Sequence, residues 1–283
     1  MHFVVCVKQV PDSAQIRVHP VTNTIMRQGV PTIINPYDLF ALETAMRLRD
    51  DEGGEVTVLT MGPPSAEESL RKALTFGADR AVLLTDRFFA GSDTLATSYA
   101  LAQAIRRIGE IWGAPDIVFA GKQTIDGDTA QVGPGLARRL ELNQLTYISK
   151  ISRVDAAARL IELERRAEGG TQSLSSALPC LVTMLEGSAD IRRGTFADAL
   201  RAARADIVIW SAARAGIEDM QKCGLRGSPT VVKRVFAPAP RAEKAKEIEA
   251  KPRARETADA LIDALFEAKP AMAADLERLA AGL

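Results

Sequence analysis

Four apolar runs, HFVVCVKQV (2–10), EVTVLTMGPP (55–64), RAVLLTD (80–86) and PDIVFAGK (115–122), alternate with segments of helical spacing. The runs are apolar at successive positions, as strands buried on both faces must be. Between the first two, NPYDLFALETAMRLRDDEGG (35–54) sets Leu39, Leu42, Ala45, Met46 and Leu48 on one helical face. Asp38 lies in its first turn and Gly53-Gly54 at its stop, which predicts a helix of about four turns from Asn35. Ser65 and Glu68 stand at capping-box spacing ahead of a second helix, and LATSYALAQAIRRIGEI (95–111) supplies a third. The expected fold class is α/β: a Rossmann-like, mostly parallel sheet with helices on both faces.

Outside this alternation the pattern changes. Residues 11–30 read as a loop or hairpin, with Ile16, Val18 and Ile25 alternating around a turn at Thr22-Asn23. GPGLARRLEL (133–142) reads as a helix, and the next 40 or so residues hold several strands joined by polar turns, an antiparallel extension of the sheet. ADALRAARADIVIWSA (197–212) predicts a short helix and then a strand. From Ala237, proline and mixed charge replace large apolar residues, so 1–236 is expected to form the α/β domain. Residues 237–283 are expected to be a C-terminal arm, with helices at 257–268 and 273–283.

In 283 residues, 47% apolar content is enough for a sizeable core, and 36 basic residues balance 36 acidic ones, so no global field draws in nucleic acid. Cys6 and Cys180 lie in apolar segments and Cys223 in a glycine-containing loop, without CxxC spacing or a histidine cluster, which fits a reducing cytoplasm. The apolar N-terminus is strand-length and interrupted by Lys8, so neither a signal peptide nor a membrane span is expected.

In an open α/β sheet, ligands bind beyond the carboxyl ends of the strands, where helix N-termini offer free N–H groups. Cys6-Val7-Lys8, Asn35-Pro36-Tyr37-Asp38, Met61-Gly62 and GKQTIDGDTAQVGPG (121–135) all fall on that edge. In the last of these, Gly127 is a candidate for positive φ, Asp128 or Thr129 for a helix cap, and Gly133 and Gly135 for close approach of a phosphate. A capped helix whose glycines serve only packing explains the same residues. Neither GxGxxG nor GxxxxGK[ST] is present. Lys122 with Asp126 and Asp128 forms a weak candidate acid–base set, while His2 and His19 lie in ordinary contexts. Tyr37 suits either a ring-stacking role or a half-buried place at a helix start.

Five motifs together resemble the β subunit of electron transfer flavoproteins: CVKQVPD (6–12), NPYDLFALETAMRLRD (35–50), GPPSAEESLRKALTFGADRAVLL (62–84), GKQTIDGDTAQVGPGLARRL (121–140) and ERRAEGGTQSLSSALPCLVTM (164–184). The likeness covers most of residues 1–210, in order. It implies a heterodimer with an α subunit that carries FAD, and an adenine nucleotide on this chain. That nucleotide would contact Cys6, Val7, Asn35, Pro36, Tyr37, Asp38, Met61, Gly62 and Lys122. It would also contact Gly127, Asp128, Thr129, Ala130, Gln131, Val132, Gly133 and Pro134, of which Asp128, Thr129, Gln131, Val132 and Gly133 would line its phosphate side, chiefly through backbone N–H groups and the Thr hydroxyl; no residue is implied as catalytic.

The nucleotide is AMP in ordinary members and a second FAD in electron-bifurcating ones. The NPYD and DGDTAQVGPG forms resemble the bifurcating, nitrogen-fixation (Fix-type) branch, which implies FAD, with AMP as the alternative. That branch further implies NADH as donor, ferredoxin or flavodoxin and a quinone reductase as redox partners, and a cytoplasmic location with membrane contact only through a partner. IRRGTFADALRAA (191–203) occupies the place of the family's partner-recognition loop. Phe196 is its natural anchor and Arg193 is beside it, among Arg192, Arg201 and Arg204; the alternative is an amphipathic helix whose Phe196 packs inward. A universal-stress-type nucleotide sensor shares a similar sheet but is usually much shorter and lacks the LPxxVT segment.

Overall fold

A computed structural model of the chain describes residues 1–12, 17–18, 25–26, 31–233 and 245–281. In chain order the strands are β1 (His2–Cys6), β2 (Gln9–Pro11), β3 (Arg17–Val18), β4 (Ile25–Met26), β5 (Thr32–Ile34), β6 (Glu55–Met61), β7 (Arg80–Leu84), β8 (Ile117–Gly121), β9 (Asn143–Asp155), β10 (Leu160–Ala167), β11 (Gly170–Ala177), β12 (Cys180–Met184) and β13 (Val208–Trp210). The helices are α1 (Pro36–Glu52), α2 (Glu67–Phe76), α3 (Thr94–Trp112), α4 (Val132–Leu140), α5 (Phe196–Arg204), α6 (Ala254–Ala268) and α7 (Pro270–Ala280).

Nine strands form one sheet in the order β11, β10, β9, β12, β8, β1, β6, β7, β13. The pairings from β9 through β12 to β13 are parallel, and β10 and β11 extend the sheet in antiparallel fashion. The doubly covered parallel sheet and its antiparallel extension are therefore both present. Phe3, Val5 and Phe119 face one layer with Leu42 and Met46 of α1 and Leu70 and Leu74 of α2. Val4 and Val118 face the other with Ile105 and Ile108 of α3 and Leu136 of α4. Consecutive apolar residues are needed because successive side chains enter opposite layers.

From β1 the chain winds outward through β6 and β7, then returns to place β8 on the other side of β1. In doubly wound sheets such a reversal is where a ligand crevice opens, here between the carboxyl ends of β1 and β8. At the opposite edge, His2 is tied by its Nδ1 to Gly113 O at 2.7 Å and by its Nε2 to Thr57 Oγ1 at 3.0 Å.

Several local expectations change. The run 2–10 is two strands: after Cys6, the Val7 N–H still bonds Leu59 O, but Lys8 N–H turns to the Asp38 carboxylate and β2 pairs with β5 in a separate sheet. Ser65 does not cap α2. It lies inside a 3₁₀ turn (Pro64–Ala66) begun by the prolines, and Ala66 takes the N-cap position without a side-chain bond. β3 and β4 pair antiparallel through Val18 and Ile25, as a hairpin requires, while Ile16, His19 and the Thr22-Asn23 turn lie outside the described residues.

The chain divides into two compact units, Met1–Ala237 and Pro238–Leu283. In the second, α6 and α7 begin three residues earlier than the sequence pattern predicts, at Ala254 and Pro270, and none of their described residues is buried. No helix among the described residues is long and apolar enough to cross a membrane.

Candidate functional site

Two polar side chains of the α1 start brace the crevice. Asp38 is only 5% exposed, and its two oxygens accept from Lys8 N–H at 2.8 Å and Gly121 N–H at 3.1 Å, joining the end of β1 to the end of β8. Asn35, fully buried, donates from Nδ2 to Gln123 O at 2.8 Å and accepts at Oδ1 from Ile125 N–H at 3.1 Å. Bonds of this kind contribute about 0.5–1.5 kcal/mol each. Asn35 stands at the N-cap of α1 without a side-chain cap bond; its main-chain oxygen accepts from Asp38 N–H at 2.9 Å, which leaves the side chain for the loop.

Burial pushes the Asp38 carboxyl up to about 7, although Asn35, Lys8 and Gly121 donate to it. Burial likewise pushes the Cys6 thiol up to about 12, with Asp38 adding to the effect, so Cys6 is no thiolate nucleophile. Cys6 and Val7 turn their side chains into the two core layers, leaving only main chain for a ligand. Met61 is half-buried on β6, the next strand outward, and Gly62 N–H bonds Leu84 O.

The loop after β8 is folded back by its own polar groups. Thr124 O accepts from Gly127 N–H at 3.3 Å and Asp128 N–H at 2.9 Å, and Gln123 Nε2 donates to Asp128 Oδ1 at 2.8 Å. Lys8 Nζ holds both oxygens of Asp126, at 2.8 and 2.9 Å. Burial alone would raise Asp126, but the Lys8 ammonium outweighs it and holds the carboxyl below its usual range. Both acids are thus turned to the protein's own donors. The positive φ expected at Gly127 occurs at Asp128 (50°) and Ala130 (54°) instead. Asp residues tolerate that region because their short polar side chain bonds locally.

Neither Asp128 nor Thr129 caps α4. Gln131 is the N-cap and makes no side-chain cap bond, its Oε1 accepting from Thr94 Oγ1 at 2.9 Å. With no acid in the first turn either, the positive end of α4 has neither a side-chain cap nor an acid of its own. Asp128 and Thr129 are exposed beside it, Ala130, Val132 and Pro134 half-exposed. A phosphate fits this donor set. Gly133 and Gly135, however, serve packing: a Cβ on Gly133 would lie 2.6 Å from Thr183 Cγ2 of β12, and one on Gly135 2.8 Å from Ser98 of α3. A Cβ on Gly121 would strike Asp38 Oδ1 and the Tyr37 backbone.

Lys122 follows β8, its N–H bonded to Met184 O at 2.9 Å. Its ammonium lies 5.1 Å from the Tyr37 ring and 5.9 Å from the Tyr147 ring, with Glu186 Oε2 at 3.7 Å. Tyr147 and Glu186 carry no sequence signal. Tyr147 sits within an ordinary strand run, and only the irregular pairing of β9 with β12, which leaves it at φ 61°, sets it apart.

In the 191–204 segment, Phe196 is 85% exposed, which excludes inward packing. Arg192 is tied to Glu43 and Asp50 at 2.8 Å each, and Arg201 donates to Ala78 O and Leu74 O. Arg193 and Arg204 are left exposed on the same segment.

Comparison with known proteins places the chain in one family. The electron transfer flavoprotein domain model matches residues 22–215. "Protein FixA" of Azorhizobium caulinodans is 73% identical over 282 residues, covering 100% of both chains. "Electron transfer flavoprotein subunit beta" of Clostridium acetobutylicum is 44% identical over 234 residues, 83% of this chain and 87% of that one. "Caffeyl-CoA reductase-Etf complex subunit CarD" of Acetobacterium woodii is 43% identical over 239 residues, 84% of this chain and 88% of the other.

Proposed function

The chain belongs to the electron transfer flavoprotein family, as a β-type subunit with a role in electron transfer, and from that premise we propose that it binds FAD in the β1–β8 crevice and works in flavin-based electron bifurcation. It does so paired with an α subunit that carries the second flavin. When bound, FAD supplies a two-electron acceptor for the hydride of NADH and a one-electron donor to two separate routes. The protein's redox partners would be ferredoxin or flavodoxin and, by way of the α subunit, a quinone reductase. The process served is nitrogen fixation, and the protein works in the cytoplasm.

This chain's own residues position and insulate. Val132 and Gly133 N–H groups, with Thr129 and the 127–131 main chain, hold the phosphates. Pro36, Tyr37 and Lys122 border the crevice at the α1 start, while Asn35 and Asp38 fix the loops. Cys6, Val7, Met61 and Gly62 offer main chain beneath the nucleotide, and Pro134 shapes the first turn. Phe196 and Arg193 form the docking surface for a redox partner, and 1–236 and 237–283 act as nucleotide domain and arm. The observation that carries the reading is the uncapped α4 N-terminus beside a braced switch-point crevice. FAD over AMP rests on the Fix-type resemblance of the NPYD and DGDTAQVGPG forms, with which the full-length likeness to the FixA relative agrees.

The test is to co-express the chain with its α partner, denature the purified heterodimer and identify every released nucleotide. Two FAD per heterodimer are expected. One FAD with one AMP would move the protein to the ordinary electron-transfer form, and ATP without flavin would sink both redox readings.

A further inference from the structure

The Lys122 ammonium is an under-compensated cation at the mouth of the crevice. Its side chain is 17% exposed, and two aromatic faces take the place of water around it, at 5.1 Å (Tyr37) and 5.9 Å (Tyr147). Its nearest carboxylate, Glu186, stands at 3.7 Å, too far for a hydrogen bond, and that carboxylate is held at 3.0 Å by Arg166 of β10. Two cations therefore share one acid, and Lys122 is the looser partner.

One wall of this arrangement is held in an unfavourable backbone conformation. Tyr147 has φ 61° and donates its N–H to Thr183 Oγ1 at 3.2 Å, where the β9–β12 register slips. Left-handed backbone at a bulky aromatic persists where surrounding structure enforces it, and such strain concentrates at ligand clamps. The clamp is also placed apart from the phosphate-binding end: Tyr37 belongs to α1, on the sheet face opposite α4.

Resting on the FAD reading above, we propose that Lys122, held between Tyr37 and Tyr147, is the cation that meets the dioxypyrimidine edge of the bound flavin. That edge takes on negative charge when the ring is reduced, so a fixed ammonium beside it favours the reduced form and raises the flavin's potential. The phosphates are the other anionic part of the same cofactor, and the test separates the two.

Heterodimers carrying wild-type chain, Lys122→Met, Lys122→Arg and Tyr147→Asn are compared for nucleotide content and for the midpoint potentials of their flavins by spectroelectrochemistry. Lys122→Met is expected to keep two FAD and to shift the potential of one flavin to a more negative value. Lys122→Arg should restore most of that shift. Tyr147→Asn, which tolerates the left-handed backbone but removes one aromatic wall, should shift the same flavin in the same direction by less. Unchanged potentials in Lys122→Met would overturn the proposal, as would loss of nucleotide from Lys122→Met with retention in Lys122→Arg, the signature of a phosphate contact. Should Lys122→Met fail to assemble, an unshifted Tyr147→Asn overturns it. Wild-type heterodimer with one FAD and AMP removes the FAD reading and this proposal together, whereas two FAD with unshifted potentials removes the proposal alone.

Discussion

At the carboxyl edge of the sheet, buried polar side chains hold main chain in place. In the segment that carries Phe196, polar side chains anchor the main chain from behind and leave an apolar one outside. Asn35 and Asp38 point inward and bind four main-chain groups of the β1 and β8 loops. Arg192 and Arg201 also point inward, to Glu43, Asp50 and two carbonyls behind α2, but what they hold outward is the 85%-exposed Phe196. The first region works through the backbone it fixes and the second through a side chain it displays. Substitutions should therefore damage stability and ligand binding together in the first, and partner contact alone in the second.

The largest effect is expected at Gly121→Ala. The new methyl must displace Asp38 and the Tyr37 backbone, breaking the bond that closes the crevice, at a cost of about 3 kcal/mol. Urea unfolding and nucleotide content of the heterodimer should both fall; retained nucleotide would break the claim that bracing and binding are one property. Asp38→Asn follows, at about 1–3 kcal/mol, because an amide offers one acceptor where two buried N–H groups need partners. Equal stability of wild type and variant would mean that water replaces the lost bond.

Asp38 also carries a pH signature. Its folded pKa of about 7 lies above the ordinary 3.8, so folding favours the protonated acid. Its stabilisation is full below about pH 4 and is lost as pH rises toward about 7. Denaturation midpoints followed across that window should fall more steeply for wild type than for Asp38→Asn, and parallel curves would contradict the assignment. Phe196→Ala gives the smallest effect on folding, within about 0.5 kcal/mol, because the described residues leave the ring 85% exposed. Electron transfer from the heterodimer to its partner should slow; an unchanged rate would leave the exposed ring without the docking role.

The two regions also differ in how far they could be foreseen. Layer order, parallel core and antiparallel extension follow from apolar runs alternating with helical spacing, a pattern with one good packing solution. The candidate edge follows from the same topology. What Gly133 and Gly135 do did not, since a glycine admits either a ligand or a neighbouring helix, and only Thr183 and Ser98 decide the matter. Asp38 carried a first-turn acid's signal, yet its partners are 30 and 83 residues away. Ser65 had the right spacing for a cap, but two preceding prolines turned it into a 3₁₀ segment. Tyr147 was invisible because its conformation comes from a slip in strand pairing, a tertiary event with no local composition.

The central claim is that the nucleotide lies at the β1–β8 reversal with its phosphates on the α4 N-terminus. Hydrogen exchange of the heterodimer, nucleotide-depleted and reloaded, measures this directly. Reloading should slow exchange at residues 129–133 most, with lesser protection at 35–38 and 121–122. Protection that spares residues 129–133 and appears elsewhere in the chain would contradict it.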